Sequence, residues 1–260
     1  MNKLEVLFSP AEFAVLKDRD LYQTVCVVFD VLRATTTMVT ALANGASVVI
    51  PVSEISEAVA IRKKDNTVLL GGERDGVKIR AAQTGGVDFD FGNSPREYTA
   101  AKVRGHTIVS TTTNGTRALR ACAGAMVVLA GTFNNLGATA SFLEKIFKQK
   151  SGPTELLLVC AGTQEEAAYE DTLCAGALGD ALWPLFDQRA VSDSAQIARQ
   201  IYLFAKHDLL GAVQAHSKNG RRLLAMPELH DDVAFCLQRD TCKFLAGMNA
   251  EGKIYRINEY

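Results

Sequence analysis

Short apolar runs recur along the chain, and most of them stop abruptly at a polar cluster. They predict strands over residues 4–8, 25–29, 47–51, 67–71, 107–111, 126–130 and 155–160. Between most of these runs the apolar positions switch to helical spacing. That pattern predicts helices over 35–44, 53–64, 95–102, 115–123 and 135–149. The run 25–29, Val-Cys-Val-Val-Phe, is apolar at every position, as in a parallel strand covered on both faces. Strands alternating with helices predict an α/β protein: a three-layer α/β/α fold with a mainly parallel sheet built from repeated βαβ units. From about 165 to 240 the pattern is almost wholly helical. There Leu178, Leu182 and Leu185 keep one apolar stripe, and Pro184 should end or kink their helix. The tail 252–257 reads as a late edge strand. Residues 72–94 form a long segment rich in glycine and charge, of the kind that is usually functional or mobile. No low-complexity linker interrupts the chain, so 1–260 is expected to form a single α/β domain. Two packed α/β subdomains are the alternative, with no boundary marked.

The polar clusters at the strand ends carry the candidate chemistry. Asp30 directly follows the run 25–29, and Val31-Leu32-Arg33-Ala34-Thr35-Thr36-Thr37 comes next. Open α/β sheets bind ligands at the C-terminal ends of their strands. A helix starting there turns free amides toward an anion. A carboxylate in this place is either a ligand or only an N-cap. Its position behind a fully apolar strand favours the ligand reading. Arg33 in the same loop suits a bidentate grip on phosphate or sulfonate. The same grammar returns at Thr111-Thr112-Thr113-Asn114-Gly115-Thr116-Arg117, where Thr112, Thr113, Asn114, Gly115 and Arg117 read as an anion cradle. The spacing is not that of a P-loop. Each loop leads through a helix and a glycine to another strand, which fits either a degenerate duplication or convergence on one βαβ unit.

Other strand ends add candidates. Glu73 follows Gly71-Gly72 and reads as a metal ligand or general acid/base. Ser94-Pro95 has the form of a helix start, which leaves the preceding Asn93 as a site residue. Cys160 ends a strand, but no arginine follows it, so a cysteine-phosphatase loop is excluded and a core role expected. Glu170-Asp171 belongs in a first helical turn on dipole grounds. The pair would also complete, with Asp30, a hard oxygen site suited to magnesium. The second aspartate of haloacid-dehalogenase-like phosphatases is missing, because Leu32 stands two residues after Asp30. Attack by metal-activated water is thus preferred over a covalent Asp30 intermediate.

Bulk composition narrows the partners more than the chemistry. A net charge of −1 removes the electrostatic case for nucleic acid. No run of about 18 apolar residues suggests a membrane span, and the N-terminus lacks the apolar core of a signal peptide. The six cysteines include no CxxC pair, so a reducing cytoplasm is the expected setting. The four histidines show no metal-ligand spacing.

Taken together, these segments resemble the 2-phosphosulfolactate phosphatase family. The likeness rests on Val28–Thr37, Gly71–Arg74, Asp90–Pro95, Thr112–Arg117, Cys160-Ala161-Gly162, Glu170-Asp171, Ser217–Leu223, Pro227-Glu228-Leu229 and Asp232-Val233, in the family's order. The resemblance implies a magnesium-dependent phosphatase with its own three-layer α/β fold. Such an enzyme removes phosphate from 2-phospho-3-sulfolactate, a step of coenzyme M biosynthesis in methanogens. For a small doubly anionic ester of this kind, Arg33 with the first threonine run and Arg117 with the second are the expected anion grips. Magnesium (Mg2+) is expected on some of Asp30, Glu73, Glu170 and Asp171. Asn219 and Arg221 are expected either to close the pocket from the helical tail or only to begin an exposed helix. Neither nucleic acid nor membrane is expected as a partner, and a homodimer is left open.

Overall fold

The computed structural model of the chain describes residues 2–258. Its sheet comprises β1 (Lys3–Leu7), β2 (Thr24–Phe29), β3 (Val48–Pro51), β4 (Leu69–Arg74), β5 (Val77–Lys78), β6 (Thr107–Thr111), β7 (Val127–Gly131), β8 (Glu155–Cys160), β9 (Leu245–Met248) and β10 (Ile254–Ile257). All the predicted strands are present, with ends moved by a few residues. The strand order is β1-β8-β2-β7-β9-β10-β3-β6-β4-β5. Strands β1, β8, β2 and β7 make one parallel block, and β3, β6 and β4 make another.

The tail strand corrects the expectation of an edge. β10 pairs with β9 on one side and meets β3 on the other, so the β9–β10 hairpin joins the two parallel blocks by antiparallel pairing. Without it each block would expose a bare edge to the other. β9 itself was not foreseen, since Leu-Ala-Gly-Met is short and ends weakly apolar. The segment 95–102 is also not one helix: a single turn at Pro95–Glu97 precedes a separate short helix, Ala100–Val103.

Side-chain alternation divides the core as a two-faced sheet requires. Val25, Val27, Phe29, Leu156 and Leu158 pack on one face under the helices Leu136–Phe147, Tyr169–Leu182 and Asp193–Ala205. Cys26, Val28, Leu157 and Val159 pack on the other, under the helices Ala34–Ala43 and Gly115–Ala121. β2 is buried along its whole length for that reason. On the second block, Ile108 joins the face of the helix Ala34–Ala43, whereas Val109 faces the helix Ile55–Lys64. Leu178 and Leu182 are buried, and the helix ends at Leu182, just before Pro184. The cysteines 26, 122, 160, 174 and 236 are buried and free, and Cys160 is a core residue whose thiol burial pushes up. Among the described residues, no helix is long and apolar enough to cross a membrane.

The two blocks run in opposite senses across the hairpin, so their C-terminal ends would lie at opposite rims of a flat sheet. Six strand-to-strand steps separate β2 from β4. At a twist of roughly 20–25° per step, these accumulate to about 120–150°. The C-terminal ends of β2, β6 and β4 nevertheless meet at a single cavity.

Candidate functional site

The cavity has a volume of about 200 Å³. Asp30, Leu32 and Arg33 line it from the loop after β2, Glu73, Asp75 and Gly76 from the β4–β5 hairpin, and Thr113 and Asn114 from the loop after β6. Asn93 and Gly162-Thr163-Gln164 complete the strand-end side, and Lys218, Asn219 and Arg222 form a wall contributed by the helical tail.

Asp30 sits where β2 stops, because the chain must turn there into the helix Ala34–Ala43. Its Oδ1 accepts the Ala34 N–H at 3.0 Å and so satisfies the first amide of that helix, but the N-cap position belongs to Arg33 and not to Asp30. The Gly115 N–H also donates to this carboxylate. Gly115 is required at this spot: a Cβ there would lie 2.6 Å from Asp30 Oδ2. Burial pushes the Asp30 carboxyl up to about 7, with the charges of Glu73 and Glu170 adding to it and the two amides holding it back.

Behind Asp30 lie two more buried carboxylates. Asp171 accepts the Val31 N–H at 2.8 Å and the Gly162 N–H at 3.1 Å, clamping the loops after β2 and β8 together. Burial, then Asp30 and Glu170, push its carboxyl well above the usual range. Glu170 is raised too, chiefly by burial, although Ser217 Oγ donates to it at 2.7 Å and Asn219 Nδ2 at 3.3 Å. Neither Glu170 nor Asp171 lines the cavity.

Glu73 reaches the cavity from the end of β4. Its Oε2 accepts the Gly76 N–H at 2.7 Å, and its Oε1 accepts both the N–H and the hydroxyl of Thr113, at 3.0 and 3.1 Å. The neighbouring Asn114 donates its Nδ2 to the Gly162 carbonyl at 2.8 Å. That bond sets the amide orientation and leaves Asn114 Oδ1 buried without a partner. A buried orphan acceptor costs about 1–3 kcal/mol, which a cation or donor arriving in the cavity would relieve.

The hydroxyls differ from the cradle read in the sequence. Thr35 bonds the backbone of Asp30, and Thr36 bonds the Val31 carbonyl and the Thr132 hydroxyl. Thr37 bonds the Asn93 carbonyl. Thr112 is buried beside the site but does not line the cavity. Arg33 does line it, yet its charge is already met: Nη1 donates to Asp232 Oδ2 at 2.8 Å and Nη2 to the Gly76 carbonyl at 3.1 Å. Asp232 is fully buried and also accepts the Ser94 hydroxyl. Arg117 and Arg221 lie outside the lining, one paired with Glu165, the other bonded to the Ala215 carbonyl. Arg222 and Asp232 lie in segments that carry the family resemblance, but the sequence reading gives neither a site role. The signal for Arg222 was its spacing: three residues after Asn219, it falls on the same helical face.

No group of three or more His, Cys, Asp or Glu residues gathers as a metal cage among the described residues. Two carboxylates, Asp30 and Glu73, do line one cavity with Asn114, whose Oδ1 is buried without a partner. Magnesium sites with one or two carboxylates, completed by water and substrate phosphate, have this donor set. The buried carboxylates around Asp30 are also the environment in which a dication removes an electrostatic penalty.

A family model described as 2-phosphosulpholactate phosphatase matches residues 13–250. Among curated relatives, a protein of Caldanaerobacter subterraneus named "probable 2-phosphosulfolactate phosphatase" is 39% identical over 229 residues, covering 86% of this chain and 88% of the relative. A protein of the same name from Thermotoga petrophila is 40% identical, with 84% and 86% of the two chains covered. Another, from Clostridium acetobutylicum, is 32% identical over 94% of this chain and 96% of its own length.

Proposed function

The chain belongs to the 2-phosphosulfolactate phosphatase family, and from that premise we propose that it hydrolyses 2-phospho-3-sulfolactate to 3-sulfolactate and inorganic phosphate, with magnesium as cofactor. The observation that carries this reading is the meeting of Asp30, Glu73 and Asn114, with its unpartnered Oδ1, around one cavity at the strand ends. These three oxygen donors would hold the ion. Bound there, its chemistry is to offset phosphoryl charge and to make a water molecule more acidic. The chain's own groups do the rest. Gly115 and Ala34 amides hold the Asp30 carboxylate in place, and Asp171 fixes the two loops that carry the cavity's floor. Arg33, its charge met by Asp232, ties the loop after β2 to the Gly76 turn whose amide bonds Glu73.

The test is phosphate release from 2-phospho-3-sulfolactate with and without magnesium, beside phospholactate as the control lacking a sulfonate. Magnesium-dependent release that favours the sulfonate supports the whole reading. Equal release from both keeps a phosphatase but removes the substrate assignment, and no release from either overturns the proposal.

A further inference from the structure

Three cations line the cavity, and they differ in what neutralises them. Arg33 is paired with Asp232. Lys218 reaches Glu166 at 2.8 Å and is largely exposed. Arg222, also exposed, contacts only neutral acceptors among the described residues: its Nε and Nη2 donate to Asn219 Oδ1 at 3.3 and 2.9 Å, and its Nη1 to the Asp75 carbonyl at 3.0 Å. The guanidinium also lies against Gly76, where a Cβ would sit 3.0 Å from both terminal nitrogens. The fork is therefore held in place by the hairpin turn and by its own helix, while no carboxylate among the described residues pairs with its charge. Fixed orientation with unspent charge is what bidentate recognition of an oxyanion needs.

We propose that Arg222 is the specificity-determining residue for the sulfonate of the substrate. This rests on the functional reading above. In 2-phospho-3-sulfolactate the phosphate and carboxylate share carbon 2, whereas the sulfonate sits one methylene further out. With the phosphate at the Asp30–Glu73 side, the sulfonate is the group that can reach a wall not built from strand ends. Arg222 belongs to that wall, and the three bonds that hold its fork use three of its five N–H donors, which leaves two for an anion. This role replaces the second anion grip expected of Arg117, which is paired with Glu165 instead.

The experiment compares wild type, Arg222→Lys and Arg222→Met by two readouts. One is the ratio of kcat/KM for 2-phospho-3-sulfolactate over phospholactate. The other is calorimetric binding of 3-sulfolactate against lactate, which requires no turnover. Arg222→Met should lower both preferences roughly ten- to a hundredfold, the scale of a lost hydrogen bond to a charged group. Arg222→Lys should lose part of them, because it keeps the charge and not the fork, and it decides the case should the Met variant not fold. Unchanged preferences in the folded variants overturn the assignment, as does a wild type that binds 3-sulfolactate no better than lactate. A wild type that hydrolyses neither ester overturns the functional reading instead, and the binding arm then decides on Arg222 alone.

Discussion

The loop after β2 and the loop after β6 share a hydroxyl run, a helix start and one arginine, yet they are put to different uses. In the first, the threonine hydroxyls are spent on the loop's own backbone and on neighbouring segments, and Asp30 faces the cavity. Its arginine is drawn inward by a buried aspartate. In the second, Thr113 serves Glu73, Asn114 leaves an oxygen free, and Gly115 makes room for the first loop's carboxylate. Its arginine points outward to Glu165. Short hydroxyl side chains beside a strand-to-helix turn find backbone carbonyls first. A hydroxyl run in that place is thus scaffolding, and the chemistry falls to the longer carboxylates, amide and guanidinium groups that reach past it.

The sharpest break in this comparison is Asp30→Asn, which removes the charge the first loop presents. Magnesium-dependent phosphate release should fall on the order of a thousandfold, the scale for a group acting directly on the reaction, while circular dichroism stays native. Near-normal turnover would refute its role. Asp232→Ala strips the first loop's arginine of its buried partner. Leaving a buried charge unpaired should cost about 3–5 kcal/mol in denaturant unfolding, far more than any change at the exposed Arg117–Glu165 pair. Gly115→Ala tests how the second loop supports the first. The added methyl must displace Asp30 or Ala34, at about 1–3 kcal/mol of stability, and turnover should drop with it.

The pH dependence is the mildest test. The folded protein holds a proton on Asp30 up to about 7, whereas the unfolded chain releases it near the ordinary value of 3.8. Across that window the folded state binds more protons, so stability falls as pH rises. Glu170 and Asp171 are shifted in the same direction. Metal-free protein should therefore lose Tm by at least a few degrees from about pH 4 to about pH 7, and magnesium should restore part of it at the upper end. A Tm flat in pH and unaffected by magnesium would contradict the buried carboxylate cluster.

Much of the fold was legible in the chain because burial on both faces leaves a continuous apolar run, as in β2 and β8. β9 and the interior place of β10 were not legible. A four-residue strand with Arg256 among its apolar positions looks like an edge, and only the two unpaired block edges gave it a central position. Within the site, Asp30, Glu73, Asn93, Thr113, Asn114 and Asn219 all reach the cavity, since each follows or closes a strand-end loop or helix start. Arg222 and Asp232 lie in segments that carry the family resemblance but received no site role, because nothing local marks a helical aspartate as buried or an exposed helical arginine as part of a cavity wall.

The amino-acid sequence by itself determined the α/β class, the strand ends that carry chemistry and the carboxylate at the head of the first loop. Those follow from local polarity and from where apolar runs stop. Only the tertiary structure decided which arginine is neutralised and which is left to meet a ligand. Counter-ions come from segments distant in the chain: Asp232 meets Arg33 across 199 positions, and no such partner reaches Arg222 among the described residues.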